Sequence, residues 1–325
     1  MSNFAIITMR MKKIIWNENK PPMAPCVATI GFFDGVHRGH QYLIRHVIEE
    51  ARADGLESTV ITFDRHPRQV LQSDYIPDLL TTPDSKMLLL SKTEVDNAVM
   101  LHFDKELAAL SARDFMEKVL RDKLSVRKLI IGYDNRFGHE RTEGFDDYVR
   151  YGRELGIEVI RNQAFVLQGV NVSSSVIRRY LQTGEVEMAN ACLGYPYTIA
   201  GHVTTGYKIG HELGFPTANL DTAGRGQLIP AGGVYAVRVR LLNAVTFHQG
   251  MMNIGMRPTF DGKELSLETN IFDFDEDIYG QVIFVAFAHR IRAERKFDSP
   301  EALVAQLKED RLMVEEQFKM ENENE

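Results

Sequence analysis

The sequence has few cysteines and no long apolar segment. Its two cysteines, Cys26 and Cys192, belong to no CxxC pair, which argues against a disulfide scaffold and against a structural zinc site. No apolar run approaches the ~20 residues that cross a bilayer. At the amino end the basic residues follow the apolar ones, which is the reverse of a signal peptide. These absences predict a protein of a reducing cytoplasm that has no membrane partner.

An excess of positive charge is also missing. The net charge is -7, and no run of basic residues occurs. Proteins that bind nucleic acid through its phosphates present a cationic surface, so we expect no nucleic-acid partner. A nucleotide needs only a few local donors and stays compatible with this charge. The length of 325 residues exceeds what one small core usually takes, which favours two domains.

The first half of the chain alternates strand-like and helix-like segments. The strand candidates are CVATIG, STVITFD, NAVMLHF, KLIIG and IEVIRN. Between the first two, HQYLIRHVIEEARADG carries an apolar stripe of helical period that ends near Gly55. This βαβα order predicts an α/β domain over residues 14–185, with a parallel sheet covered by helices.

After about residue 197 the apolar period changes to two. Six short strand candidates follow one another: TIAGHV, FPTANL, VYAVRVRL, FHQGMMNIG, LSLETNIFDF and QVIFVAFAH. They predict a closed six-stranded antiparallel β-barrel in a domain over residues 186–318. A terminal helix should begin with Ser299 as N-cap and Pro300 at its first position. The acidic residues 319–325 are expected to form a solvated tail.

The segment GFFDGVHRGH, residues 31–40, joins the first predicted strand to the first helix. Ligands of open α/β sheets bind beyond the carboxyl ends of such strands. His37 and His40 open the helix, where free N–H groups already favour an anion. Imidazoles placed there could stabilise charge that develops on a phosphate. Two alternatives stay open: a surface turn, and a zinc site from the i, i+3 spacing, for which no third ligand is evident.

Three further segments extend this motif. The HxGH pattern after a Gly-Asp-Gly loop resembles the signature of the nucleotidyltransferase superfamily, and SSSVIRRYL resembles its SSTxIR motif, with Ser175 in place of threonine. Read alone, the second motif could be a capped helix with a surface arginine. TFDRHP and GYDNRFGHERTEG resemble segments of bacterial FAD synthetases, with Arg65 and Asn135 as departures.

This resemblance implies a Rossmann-like nucleotidyltransferase fold for the first domain. It implies catalytic roles for His37, His40 and Arg178, ATP contacts at Gly31, Phe32, Phe33, Asp34, Gly39, Asp134 and Ser174, and a flavin contact at His66. His66 could equally be a turn histidine before Pro67.

A second constellation lies in GYKIGHELGFPTANL. Gly206 and Gly210 flank a loop, and Thr217 and Asn219 carry the hard oxygen donors that Mg²⁺ shares with phosphates and water. Because they alternate along a strand, both side chains should lie on the same side. For PTAN alone, an edge strand that begins at a proline and carries incidental polar residues is the alternative.

Five segments in order resemble the bacterial riboflavin kinase domain: the glycine loop with LGFPTANL, LIPAGGVYAV, NIGMRPTF, LETNIFDF and FAHRIRAERKF. His211, Tyr195 and Asn270 depart from that pattern. The resemblance implies Glu268 as catalytic base, ATP contacts at Gly206, Lys208, Gly210, Thr217 and Asn219, magnesium at Thr217 and Asn219, and flavin contacts at Asn253 and Arg292.

Together the two resemblances cover residues 25–318 and identify the chain as a member of the prokaryotic riboflavin kinase/FAD synthetase family. They imply that ATP and Mg²⁺ serve to convert riboflavin to FMN, and that FMN then becomes FAD with release of pyrophosphate. Another nucleotidyltransferase with an unrelated barrel is one alternative. A non-enzymatic flavin- or RNA-binding module is a second, although the acidic charge and the retained candidate residues argue against it.

Overall fold

In the computed structural model of the chain, residues 11–15, 21–72, 74, 78–133, 135–139, 143–206, 210, 213–224, 226–259 and 262–324 are described. Contacts divide the chain into two compact units, Met1–Ser174 and Ser175–Glu325. The boundary predicted from the sequence lies later, between residues 185 and 186. Whether the chain folds independently on either side of it stays a prediction. In the described ranges no helix combines the length and the apolar character needed to span a membrane.

The first unit contains a sheet of six parallel strands, which confirms the predicted parallel sheet. Their bounds are β1 Lys12–Ile15, β2 Cys26–Ile30, β3 Glu57–Phe63, β4 Asn97–Leu101, β5 Val126–Ile131 and β6 Glu158–Arg161. The five predicted strands are present as β2 to β6. The edge strand β1, which pairs with β4, was not predicted. Its segment KKII has only four residues, two of them charged, and gives no apolar strand pattern.

Helices pack on both faces of this sheet. They are α1 Arg38–Asp54, α2 Pro67–Leu71, α3 Pro83–Ser91, α4 Lys105–Ala108, α5 Ala112–Asp114 with a π-helical continuation Phe115–Arg121, and α6 Phe145–Leu155. A small hairpin, β7 Val166–Leu167 and β8 Val170–Asn171, follows β6. The buried side chains of α1 are the predicted stripe, Leu43, Ile44, Val47, Ile48 and Ala51, and the helix ends at Gly55.

The strand order β1-β4-β3-β2-β5-β6 determines where a ligand can enter. From β2 the chain adds β3 and β4 on one side, and it then returns to add β5 and β6 on the other side. Connections that leave β2 and β5 therefore diverge, and they open a crevice at the carboxyl ends of these two strands. The loop 31–37 begins directly after β2 and lies at this crevice.

The second unit holds a closed antiparallel barrel of six strands, which confirms the predicted barrel. The strands are β9 Thr198–Thr204, β10 Ala218–Asp221, β11 Gly233–Leu241, β12 His248–Thr259, β13 Gly262–Ile271 and β14 Val282–Arg292. Tyr235 of β11 is fully buried and packs edge-on against Phe287 of β14, 5.3 Å between ring centroids. Val234, which faces the opposite way, packs in a cluster with Val314 and Phe318. Tyr235 and Phe287 therefore fill the barrel, and a terminal helix covers its outer face.

Three helices accompany the barrel: α7 Ser174–Thr183, α8 Val186–Leu193 and α9 Pro300–Asn324. The Ser299 hydroxyl accepts a hydrogen bond from the Ala302 amide at 3.2 Å, which confirms the predicted N-cap. The acidic end is helical in the described residues, because α9 continues to Asn324, and most of its side chains there are exposed. The Glu321 carboxylate holds it there by accepting hydrogen bonds from Arg238 at 2.5 Å and from His289 at 2.8 Å.

Candidate active sites

The loop after β2 has a strained backbone. Phe33 and Val36 have φ angles of 55° and 35°, in a region that non-glycine residues rarely adopt, and Gly35 between them has φ 79°. Such residues cost on the order of 1–3 kcal/mol each and persist only where the surroundings enforce them. The Phe33 side chain, a predicted ATP contact, is buried in the core layer of α1. Phe32 and Gly31 instead line a cavity.

Asp34 is the residue that holds this loop in place. Its buried carboxylate accepts hydrogen bonds from the backbone amides of Leu80 and Thr81, each at 3.0 Å. The Thr81 hydroxyl in turn accepts from the Gly35 amide at 3.1 Å. The Ser174 hydroxyl donates to the Asp34 carbonyl at 3.0 Å. The structure thus gives the predicted ATP contact Asp34 a positioning role, and it brings Ser174 to the same loop.

His37 and His40 lie together at the start of α1. His37 is the N-cap, and its Nδ1 accepts a hydrogen bond from the His40 amide at 3.3 Å. The two rings stack with centroids 3.6 Å apart. A Cβ on Gly39 would lie 3.1 Å from His37 Nδ1 and 3.1 Å from the Val172 carbonyl, so a side chain there would disturb the pair. Because Nδ1 accepts, the proton of the neutral His37 ring sits on Nε2.

His40 is neutral at physiological pH. Burial, and then the charges of His37 and Lys86, hold the pKa of His40 well below its usual 6.5. Its buried Nδ1 has no hydrogen-bond partner among the residues that the structure describes. A neutral imidazole can still donate one N–H to an incoming oxygen. His40 is therefore suited to hydrogen bonding with a phosphate rather than to cancelling its charge.

An aromatic cavity of about 510 Å³ adjoins the loop at the carboxyl ends of β2 to β4. Its walls include Phe32, Phe63, His66, Phe103, Phe115 and Phe137. Flat apolar rings suit such walls, since aromatic side chains offer faces and edges for stacking. His66, predicted to contact flavin, is in this wall, where its Nδ1 also caps α2 by accepting from the Arg68 amide at 3.2 Å. Asn135, the departure from the family pattern, lines the cavity and donates to the Ile30 carbonyl.

A second cavity of about 430 Å³ lies at the carboxyl ends of β5 and β6. Arg161 lies in its wall, 5.9 Å from the ring centroid of Tyr133 and 5.4 Å from that of Phe145. It shares Asn135 with the aromatic cavity. The predicted ATP contact Asp134 lies outside the described residues. Arg178 is on α7, in the second unit.

Lys86 of α3 was missed by sequence reasoning. Its side chain is buried, and Nζ donates to the carbonyls of Phe32 at 3.0 Å and Phe63 at 2.8 Å. Nζ also lies 4.1 Å from the centre of the Phe32 ring. Desolvation lowers the pKa of Lys86 to about 8, against the opposing charges of Asp34 and Asp64. Lys86 thus ties the ends of β2 and β3 together beside the cavity, and a lysine within the run KMLLL was the available signal.

In the barrel, strand register brings three predicted residues side by side. Asn219 of β10 lies opposite Glu268 of β13, and Glu268 lies opposite Asn253 of β12. Directly opposed residues of paired strands share one face of the sheet. The Ser266 hydroxyl donates to Glu268 Oε1 at 3.0 Å and fixes the carboxylate.

The two glycines of the PTAN loop approach the predicted metal ligands closely. A Cβ on Gly206 would lie 2.6 Å from Cγ and 2.8 Å from Oδ1 of Asn219. A Cβ on Gly210 would lie 3.3 Å from the Thr217 hydroxyl. The Gly210 carbonyl also accepts from the Phe215 amide at 2.7 Å, which closes the loop. Lys208, predicted to contact ATP, lies outside the described residues.

A cavity of about 530 Å³ opens beside this loop. Gly206, Thr217 and Asn219 line it together with residues 274–279. The predicted ATP residues are therefore at a pocket of sufficient size for a nucleotide. Asn270, another departure from the family pattern, is buried, and its amide donates to the Pro216 carbonyl at 2.7 Å. That bond holds the start of PTAN against β13.

Arg292 has a partner within the protein. Its guanidinium binds both carboxylate oxygens of the fully buried Asp310, with N–O distances between 2.8 and 3.1 Å, and donates to the Ala293 carbonyl at 3.1 Å. This geometry gives Arg292 a structural role between β14 and α9. Its predicted flavin contact stays a prediction, as does that of Asn253.

Comparison with known families agrees with this division into two sites. A family model described as FAD synthetase matches residues 19–176, and a model described as riboflavin kinase matches residues 193–318. The first range contains the loop with His37 and His40, and the second contains the paired residues Asn219, Glu268 and Asn253.

Similar proteins extend over nearly the whole chain. The bifunctional riboflavin kinase/FMN adenylyltransferase of Escherichia coli strain K12 is 37% identical over 310 residues, which cover 95% of this chain and 98% of that protein. The protein of the same description from Bacillus subtilis strain 168 is 35% identical over 299 residues, covering 90% of this chain and 92% of its own.

A solved structure described as a macrolide-efflux protein from Streptococcus pneumoniae has a TM-score of 0.83 and 33% identity, and it covers 94% of this chain and 98% of that one. That likeness concerns the fold, whereas both family models and the two relatives agree in their descriptions. The chain belongs to the family of bifunctional riboflavin kinase/FMN adenylyltransferases.

Proposed function

We propose that this chain makes both flavin cofactors. The second unit transfers the γ-phosphoryl group of ATP to the 5′-hydroxyl of riboflavin, and the first unit transfers AMP from a second ATP to the phosphate of FMN. The observation that carries the proposal is that each unit has its own phosphate-binding motif beside a cavity, of about 510 Å³ in the first and 530 Å³ in the second.

In the kinase unit, Glu268 is the general base. Phosphoryl transfer needs the acceptor hydroxyl to be oriented and relieved of its proton. Glu268 stands in one row with Asn219, so the acceptor and the phosphate ligand can meet on the same face. Ser266 holds one carboxylate oxygen by its hydrogen bond.

Magnesium would accompany ATP at Thr217 and Asn219. Their hydroxyl and amide oxygens are hard donors, and Mg²⁺ usually completes its shell with phosphate and water. The described residues contain no cluster of three or more histidine, cysteine, aspartate or glutamate side chains for a metal, which fits an ion bound mainly by the nucleotide. When bound, the ion neutralises charge on the phosphates.

In the adenylyltransferase unit the FMN phosphate is already a nucleophile, so no base is required. Catalysis then consists of positioning the two phosphates and stabilising the charge between them. His37 and His40 donate N–H groups at the start of α1, where backbone amides add to the same field. The aromatic cavity with Phe32 and His66 would take the isoalloxazine ring of FMN.

The second cavity of the first unit suits the adenine of ATP. It lies on the β5 and β6 side of the His37 loop, whereas the aromatic cavity lies on the β2 to β4 side. A base bound near Arg161 and Tyr133 would place its triphosphate toward the loop between the two cavities. Arg178 and Asp134 are further residues that we propose for ATP on the sequence motifs alone.

The direct test is incubation of the pure protein with riboflavin and MgATP, followed by chromatography of FMN and FAD. Glu268→Gln should lower FMN formation by about 10²–10⁴, the range for a positioned acid or base. FAD formation from supplied FMN should persist. His40→Ala should do the reverse, with FAD formation falling by about 10²–10³. Loss of both activities in both variants would contradict the assignment of separate sites.

We also propose that the two units fold and act separately. Helix α8 packs on β14, where the Asn190 amide donates to the Phe287 carbonyl at 2.8 Å and Glu187 accepts from the Arg290 amide at 3.1 Å. A kinase fragment that begins at Ser175 keeps these contacts and α7, whereas one that begins at Tyr197 loses them. The longer fragment should make FMN. An inactive but folded longer fragment would show that the kinase needs the first unit.

A further inference from the structure

Thr269 has a buried hydroxyl that nothing in the described protein satisfies. It lies on β13 directly after Glu268, its residue is fully buried, and its Oγ1 has no hydrogen-bond partner among the described residues. Buried polar groups are nearly always paired, so an unpaired one beside a cavity is a candidate to bind a molecule in that cavity. Leaving a neutral polar group unpaired costs about 1–3 kcal/mol.

The strand pairing of Thr269 shows which side of the barrel wall its side chain faces. Thr269 lies opposite Ala218 of β10 and opposite Met252 of β12. All three therefore face the interior of the barrel, as Tyr235 does. Thr269 also lines the cavity of about 530 Å³ that contains Thr217. Thr269 thus belongs to the inner wall of the cavity in which we propose that ATP binds.

The lining of that cavity orients a nucleotide. Among its lining, residues 274–279 carry the carboxylates of Asp275, Glu276 and Asp277. Like charges repel, so the triphosphate should lie away from them, toward Thr217. The inner wall beside Thr269 is otherwise apolar, with Val203, Ala218 and Ile271. A wall of this kind accepts a flat base and leaves one polar atom to recognise its edge.

We propose that the Thr269 hydroxyl binds the nucleobase of the phosphoryl donor in the kinase unit. This inference rests on the proposed kinase function. A hydroxyl can accept a hydrogen bond from the 6-amino group of adenine, or donate one to a ring nitrogen. Glu268 and Thr269 are consecutive residues of one strand and face opposite sides of the sheet. Glu268, the general base, would then face the acceptor hydroxyl, and Thr269, which recognises adenine, would face the nucleotide.

The test is steady-state kinetics of FMN formation by the full-length protein with Thr269→Val, which keeps the shape and removes the hydroxyl. We expect the KM for ATP to rise about 5- to 20-fold with kcat nearly unchanged, the effect of losing one hydrogen bond to a neutral group. Thr269→Ser keeps the hydroxyl and should stay within about threefold of the wild type. Thr198→Val, which removes a β9 hydroxyl that bonds to the Pro196 carbonyl outside the cavity, is the matched control.

A comparison of ATP with purine riboside triphosphate, which lacks the 6-amino group, shows which atom of adenine the Thr269 hydroxyl binds. If Thr269 accepts from that amino group, the wild type will prefer ATP and Thr269→Val will not. If it donates to a ring nitrogen, the variant will lose affinity for both nucleotides equally. An unchanged KM for both, or equal effects of the Val and Ser substitutions, would overturn the proposal. A wild-type protein that makes no FMN would refute the kinase function itself.

Discussion

Gly206→Ala should disable the kinase without unfolding the barrel. The new Cβ would overlap Nδ2 of Asn219 and lie 2.6 Å from its Cγ, whereas ordinary contacts begin near 3.4 Å, so the carboxamide must retreat by about 1 Å. The end of a flexible side chain can make this movement while the backbone of β10 stays in place. A displacement near 1 Å of a positioning group can cost on the order of 10²-fold in rate. We therefore expect kinase turnover to fall about 10²-fold.

The assay is FMN formation from riboflavin and MgATP, with FAD formation from supplied FMN as internal control. Gly232→Ala is the matched variant in the same barrel, because its Cβ would meet the Ile254 carbonyl at an ordinary 3.4 Å. It should stay within a few-fold of the wild type. In an Asn219→Ala background, Gly206→Ala should add little, since the displaced group is gone. An equal cost in both backgrounds would refute the reasoning.

Three further predictions concern charge and stability. Hydrogen bonding to Glu187 raises the pKa of His289, so the stabilisation from the protonated ring is complete below pH 6.5 and is lost as the pH rises through the raised pKa. In His289→Gln, the melting temperature measured by calorimetry should therefore change less with pH above pH 6.5 than it does in the wild type. Burial lowers the pKa of His40, so stability should fall as the pH drops below 6.5, and His40→Gln should reduce that acid sensitivity in the same measurement. Asp310→Asn leaves the guanidinium of Arg292 without its carboxylate and should cost about 3–5 kcal/mol in urea unfolding. Restoration of part of that stability by the added change Arg292→Met would support the ion pair as the cause, and a fully additive loss would contradict it.

The fold and the catalytic motifs could be predicted because their signals are local. The stripe in α1, the alternation in the barrel strands and the Ser299 cap each depend on neighbours within a few residues. His37 and His40 are likewise three residues apart, so their proximity follows once a helix begins between them. Five of six parallel strands and all six barrel strands were predicted on these grounds. The edge strand β1, with two lysines in four residues, offered no such signal.

The contacts that hold the sites in place could not be predicted, because they join segments far apart in sequence. Lys86 binds the carbonyl of Phe32 across 54 positions, and Asn270 binds the Pro216 carbonyl across the same separation. The resemblance implies an ATP contact at Asp34, but nothing in the segment around it indicates the amides of Leu80 and Thr81 that also bind its carboxylate. Arg292 is similar, since Asp310 lies in a different element.

The kinase site also depends on a property that no single motif contains, which is the register of the barrel. Asn219 and Glu268 meet only because β10 and β13 pair at these positions, and Asn253 joins them through the pairing of β12. A slip of β13 by one residue would turn Glu268 into the barrel and Thr269 out of it. The apolar interior opposes that slip, because it would place a carboxylate among Tyr235 and its neighbours. Hydrophobic alternation in β13 therefore does more than form the barrel: it determines that Thr269 faces the interior and that Glu268, the base we propose, faces the other side of the sheet.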